Sequence, residues 1–177
     1  RSSDLIVDLL KIKHFALWGY LFNASIIKAK KILFNENLAY SEDRLFILQY
    51  AIFSNSLFFL AEPIYVYRIH NNSVCKSNNG LKKAKHQFYA ANQISLLANS
   101  YKNLSKNKYN ILLKEKRNIL NLGIYQFLEQ PYTFSTFQKL KNYYIRFYNS
   151  HILLFYFLLV YNFFKIKRRR IIKFRKY

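Results

Sequence analysis

The sequence predicts an α/β N-terminal part, residues 1–79, followed by a mostly α-helical C-terminal region, residues 80–177. Three observations carry this expectation. Residues 57–69 are rich in the aromatic and β-branched types that favour strands, with Pro63 confining them to a sheet edge or a bend. Ser41, Glu42 and Asp43 suit a helix N-terminus, so a helix is expected between that segment and an earlier extended stretch at 32–38. After Gly80, Leu81, Ala84, Phe88, Ala91, Ile94 and Ala98 recur at the helical period.

Taken in order, residues 14–30 carry Phe15, Leu17, Trp18, Leu21, Phe22 and Ile26 at helical spacing, and a helix is expected there. The segment 32–38 reads as extended, and Glu42–Phe53 as a helix. Asn71, Asn72 and Ser73, then Asn78, Asn79 and Gly80, supply turn chemistry. A second helix of the C-terminal region is expected over 108–129, stopping before Pro131 because the residue ahead of a proline disfavours the helical conformation. A third is expected over Phe134–Tyr148, and a last from near Ser150 into the basic tail.

Composition bounds the function classes. With 52% hydrophobic residues in 177, the chain can bury an ordinary core. Lys and Arg number 29 against 8 acids, a formal charge of +21 that attracts nucleic acid, anionic lipid or phosphorylated ligands alike. Heavy use of Lys, Asn, Ile, Tyr and Phe matches compositional drift in an A+T-rich genome, which discounts part of that charge. Cys75 is the only cysteine, so a disulfide framework or a cysteine-based metal site within the chain is excluded, and a reducing cytoplasmic setting is expected. The chain has no methionine and opens on Arg1, so a preceding N-terminal portion is expected. No signal peptide is apparent.

Candidate chemistry lies in three segments: His14, Trp18 and Phe22; then Phe34, Leu38, Glu42, Asp43 and Phe46; then Pro63, Tyr65, Tyr67, Arg68, His70 and Ser73. In this order and at these intervals they resemble the C-terminal half of the catalytic domain of bacterial family 2 glycosyltransferases, over roughly residues 11–73. The resemblance implies a partial GT-A fold and transfer of a sugar from a nucleotide-sugar donor to a glycan or lipid-linked acceptor, with inversion, in cell-envelope polysaccharide synthesis. It makes Asp43 the general base, with Glu42 beside it and Trp18 under the acceptor. Arg68 and His70 would lie near the donor diphosphate or the metal. A carboxylate in hydrogen-bond reach of the acceptor hydroxyl can take its proton as it attacks. A helix N-terminus should keep Asp43 ionised. The plain alternative is that Glu42 and Asp43 only cap their helix.

The same resemblance expects a divalent metal, Mn or Mg, in the full-length parent, but the Asp-x-Asp motif that would hold it is missing. Asp4 and Asp8 are spaced i, i+4 and read as one solvated helical face. This chain alone is therefore expected to be inactive. Residues 152–164 form an apolar run too short for the ~20 residues of a spanning helix. It is followed directly by the basic run 165–176, an order that suits a helix lying on an anionic membrane surface, at the inner face of the cell membrane. Nucleic acid is not the expected partner, because no recognition module is present. The rival expectation is a non-enzymatic basic helical module that binds anionic membrane or nucleic acid.

Overall fold

A computed structural model describes residues 17–56, 58, 62, 65, 66, 68, 79–101, 105–148 and 152–174. Among them lie a 3₁₀ turn, Leu17–Gly19, and six helices: α1 Ala24–Lys30, α2 Glu42–Phe53, α3 Gly80–Ser100, α4 Lys106–Leu128, α5 Phe134–Tyr148 and α6 Ile152–Phe174. No strand occurs among the described residues.

Four of the six helix starts have a local side-chain cap. Asn23 Oδ1 accepts from Ser25 N at 2.9 Å ahead of α1, and Asn79 Oδ1 accepts from Lys82 N at 2.9 Å ahead of α3. Ser105 Oγ accepts from Lys108 N at 3.3 Å ahead of α4. At α5, Thr133 Oγ1 accepts from Thr136 N while Thr136 Oγ1 accepts from Thr133 N, a reciprocal cap that satisfies two otherwise orphaned donors. α4 ends at Leu128, three residues before Pro131.

Contacts divide the chain into two compact units. The first comprises residues 1–77 and 93–114. In it the 3₁₀ turn and α1 both pack on α2. An aromatic cluster holds them: Phe22 meets Phe46 edge-on at 5.3 Å and Tyr50 at 4.9 Å, and Phe34 stacks on Phe46 at 4.4 Å. Tyr50 OH also accepts from Asn23 N at 2.9 Å.

The second unit comprises 78–92 and 115–177 and is a four-helix arrangement. A Cβ added at Gly80 would lie 2.7 Å from Gln126 O, and one at Gly123 would lie 3.0 Å from Gln87 Cβ and 3.1 Å from Phe88 Cε1. The start of α3 thus faces the end of α4, and the pair runs antiparallel at a closeness only glycine permits. Phe88 of α3 meets Tyr144 of α5 edge-on at 5.4 Å, and Tyr148 OH donates to Phe88 O at 3.3 Å. Phe155 of α6 lies against Tyr144 at 5.0 Å and Phe137 at 6.2 Å. Asn162 of α6 reaches Asn121 of α4. The contacts 85 to 143 and 89 to 147 advance in step, and those of 121 to 162 and 125 to 165 nearly so, so α3 parallels α5 and α4 parallels α6. This is an up-down-up-down bundle.

The expected α/β class is therefore wrong for the described residues, which are all-α. The segment 32–38 is not extended strand. Leu38 N donates to Asn35 O, and Asn37 N donates to Asn35 Oδ1, so an Asx turn takes the N–H groups a sheet would need. Ile32 and Leu38 are nonetheless buried, which satisfies the apolar pattern without a sheet. Of residues 57–69, Phe58, Glu62, Tyr65, Val66 and Arg68 are described, all exposed and none in a strand; the others lie outside the described residues. β-propensity reflects packing on a half-buried sheet, and Phe58 and Val66, 89% and 91% exposed, have no such surface. The helix expected over 14–30 is broken into the 3₁₀ turn and α1, with 14–16 outside the described residues.

With the sheet goes the resemblance to a family 2 glycosyltransferase half, since a GT-A domain is built on strands. Several residues that carried it are packing residues: Phe22, Phe34 and Phe46 form the aromatic cluster of the first unit, and Leu38 is in its core. In a chain with 17 Phe and 16 Tyr, aromatic spacing of this kind arises from core demands.

Candidate functional site

The Glu42–Asp43 pair opens α2, as its sequence predicts. Ser41 precedes it in the left-handed region, φ 64°, and makes no side-chain capping bond. Asp43 Oδ1 accepts from Arg44 N at 2.7 Å. That is the behaviour of a helix cap. Both carboxyls are half-buried. Desolvation raises the Asp43 pKa above its ordinary value, outweighing the Arg44 N–H and the Arg44 charge, which lower it. Desolvation likewise raises Glu42, with the neighbouring Asp43 charge adding to it. The helix N-terminus does not hold Asp43 below the usual carboxylate range; the loss of water dominates.

Trp18 sits in the 3₁₀ turn that packs on α2, so it and the acidic pair belong to one unit. It is half-exposed, and its ring stacks on Tyr65 at 5.9 Å and 28°. Tyr65, a residue of the third candidate segment, is thus an aromatic partner of Trp18, a pairing that spacing did not indicate. Arg68 is exposed, and His70 lies outside the described residues. No group of three His, Cys, Asp or Glu able to hold a metal occurs among the described residues.

A second feature is larger. α6 is apolar on two faces. Its inner face carries Phe155, Leu158 and Asn162, all buried. Its outer face carries Leu153, Phe157, Val160 and Phe164, spaced four, three and four residues apart and therefore aligned. These are exposed, Leu153 by 82%, Phe157 by 66% and Phe164 by 64%. Lys167 and Arg168, exposed as well, follow on the next turn. The second unit's sequence holds only two acids, Glu115 and Glu129, and Glu115 is buried. Among the described residues no helix is long and apolar enough to cross a membrane.

The run 152–164 is visible in the sequence, but its division into covered and uncovered faces is not. Only the helical step, applied against known neighbours, could have found it. No family model matches the chain, and neither a curated protein nor a solved structure matches it.

Proposed function

We propose that the chain attaches peripherally to an anionic membrane surface through the outer face of the apolar part of α6, residues 152–164, and the basic run 165–176 that continues it. The observation that carries this reading is the aligned stripe Leu153, Phe157, Val160 and Phe164, exposed to water and continued by cations. Full burial of one such side chain is worth ~1.5–3 kcal/mol, and each Lys or Arg near an anionic surface adds ~1 kcal/mol. Together these suffice for reversible binding at an interface. The high positive charge of the unit opposes pairing of two copies through the same stripe and favours an anionic occupant.

The test is co-sedimentation with vesicles of neutral lipid and of neutral lipid with about a third anionic lipid, at physiological salt. Wild type should bind the anionic vesicles tightly and the neutral ones weakly. The double substitution Phe157→Asp and Phe164→Asp should weaken binding at least tenfold while helicity is retained. Equal binding by that variant would sink the reading, as would tighter binding to a nucleic-acid duplex that the variant leaves unchanged.

A second reading is favoured by the desolvation of Asp43 and Glu42: sugar transfer within a longer protein, from a nucleotide-sugar donor to a glycan or lipid-linked acceptor. A raised pKa makes the Asp43 carboxylate a stronger base than an ordinary aspartate, the direction a group that takes a hydroxyl proton needs. Asp43 would be the base, with Glu42 beside it. Trp18 would lie at the acceptor and Arg68 and His70 near the diphosphate, with a divalent metal held by residues not in this chain. In that longer protein, Asp43→Asn should lower turnover by ~10²–10⁴. Unchanged turnover would leave the pair as a cap.

A further inference from the structure

We infer that α6 docks lying flat in the membrane plane, its outer stripe toward the acyl chains and two tyrosine–lysine pairs, Tyr156 with Lys141 and Tyr161 with Lys165, set along its two sides at headgroup level. This inference rests on the membrane reading above and fixes the geometry that reading leaves open.

The argument starts from length. The apolar stretch 152–164 rises ~20 Å at 1.5 Å per residue, against a hydrocarbon core of ~30 Å, so end-on insertion would bury the cations that follow it. A helix apolar on both faces could still roll. Asn162 decides which face stays on the bundle. It is fully buried, and its Nδ2 donates to Asn121 Oδ1 at 2.5 Å and to Leu158 O at 2.8 Å. Its Oδ1 is buried without a partner among the described residues, so this amide is already short of one bond. Turning it to lipid would forfeit the Asn121 contact where nothing replaces it.

The sides of the outer stripe are then defined by chemistry. Tyr156 and Tyr161, 40% and 49% exposed, stand on opposite sides of the line through Phe157 and Val160. Lys141 Nζ lies over the Tyr156 ring at 6.0 Å, and Lys165 Nζ over the Tyr161 ring at 5.9 Å and the Tyr125 ring at 5.6 Å. A tyrosine ring with its hydroxyl and an adjacent ammonium matches the boundary layer, where carbon meets phosphate. Lys141 comes from α5, so the cationic contact extends beyond the basic tail to a second helix.

The experiment is a spin-label scan of the full chain carrying Cys75→Ser, with single cysteines at Leu153, Tyr156, Phe157, Val160, Phe163 and Phe164. All six are exposed, so each label is tolerated. Depth in anionic vesicles is read from oxygen against nickel accessibility. The expected profile is periodic, deepest at 153, 157, 160 and 164 and shallower at 156 and 163. Lys141→Gln should weaken binding to anionic vesicles by about fivefold, the loss of one surface cation, and leave binding to neutral vesicles unchanged. A depth that rises steadily along the helix, or is uniform around it, would overturn the flat geometry while leaving membrane attachment standing. No change at any position on adding vesicles would overturn both.

Discussion

Replacing Gly123 by valine tests the close α3–α4 pairing on which the all-α reading of the second unit depends. An added Cβ would stand 3.0 Å from Gln87 Cβ, 3.1 Å from Phe88 Cε1 and 3.4 Å from Ala84 Cα. None of these neighbours can yield easily: Ala84 and Phe88 are fully buried, Gln87 nearly so, and one contact is to backbone. Helix propensity works the other way, since glycine in a helix is less favourable than alanine by ~1 kcal/mol and valine recovers part of that. Overpacking of a filled core costs ~1–3 kcal/mol, and the valine methyls add to the Cβ clash. The net expectation is a destabilisation of about 2 kcal/mol, or ~4–8 °C in Tm for a chain of this size. Thermal and urea unfolding followed by circular dichroism would measure it. Gly19→Ala is the internal control, because a Cβ there meets nothing within 4 Å, and its Tm should stay within about 2 °C of wild type. A Gly123→Val protein as stable as wild type would refute the helix pairing and the bundle built on it.

Phe155→Ala should cost ~3–5 kcal/mol, because the ring is fully buried between Tyr144 and Phe137 and its loss leaves a cavity between α5 and α6; urea unfolding that moves by less than 1 kcal/mol would mean α6 is not packed there. Glu42 and Asp43 have pKa values raised by folding, so their protonated forms favour the fold, and that contribution is lost as pH rises from about 4 through the raised values. The double variant Glu42→Gln, Asp43→Asn should therefore be more stable than wild type at pH 7 by under about 1 kcal/mol, given solvent screening, and equal to it below about pH 4. Melting curves at the two pH values check this, and a variant less stable at pH 7 would show that the charged cap outweighs desolvation.

Local chemistry made most helices legible. Glu42–Phe53 and Phe134–Tyr148 fall where pattern and helix-start residues put them, and α4 stops short of Pro131. Asn79, Ser105 and Thr133 act within three residues along the chain, which is why such boundaries need no tertiary information. The start of α2 made the acidic pair visible as a unit. Its chemistry was harder to read, because the direction of the carboxyl pKa values depends on how much water the surroundings remove.

The strands were misjudged because strand formation is not local. Residues 32–38 and Phe58, Tyr65 and Val66 have the composition of strands, but a strand exists only where a partner offers its ladder, and Asn35 instead closes a turn. The sequence by itself determined where most helices start and stop, the region 14–30 excepted, together with the excess of positive charge and the presence of an apolar run before the basic end. Only the tertiary structure decided which side of that run is covered. Both faces of α6 are apolar, so periodicity gives no preference; Asn121 offered to Asn162, and Tyr144 and Phe137 offered to Phe155, turn one face inward and leave Leu153, Phe157, Val160 and Phe164 outside.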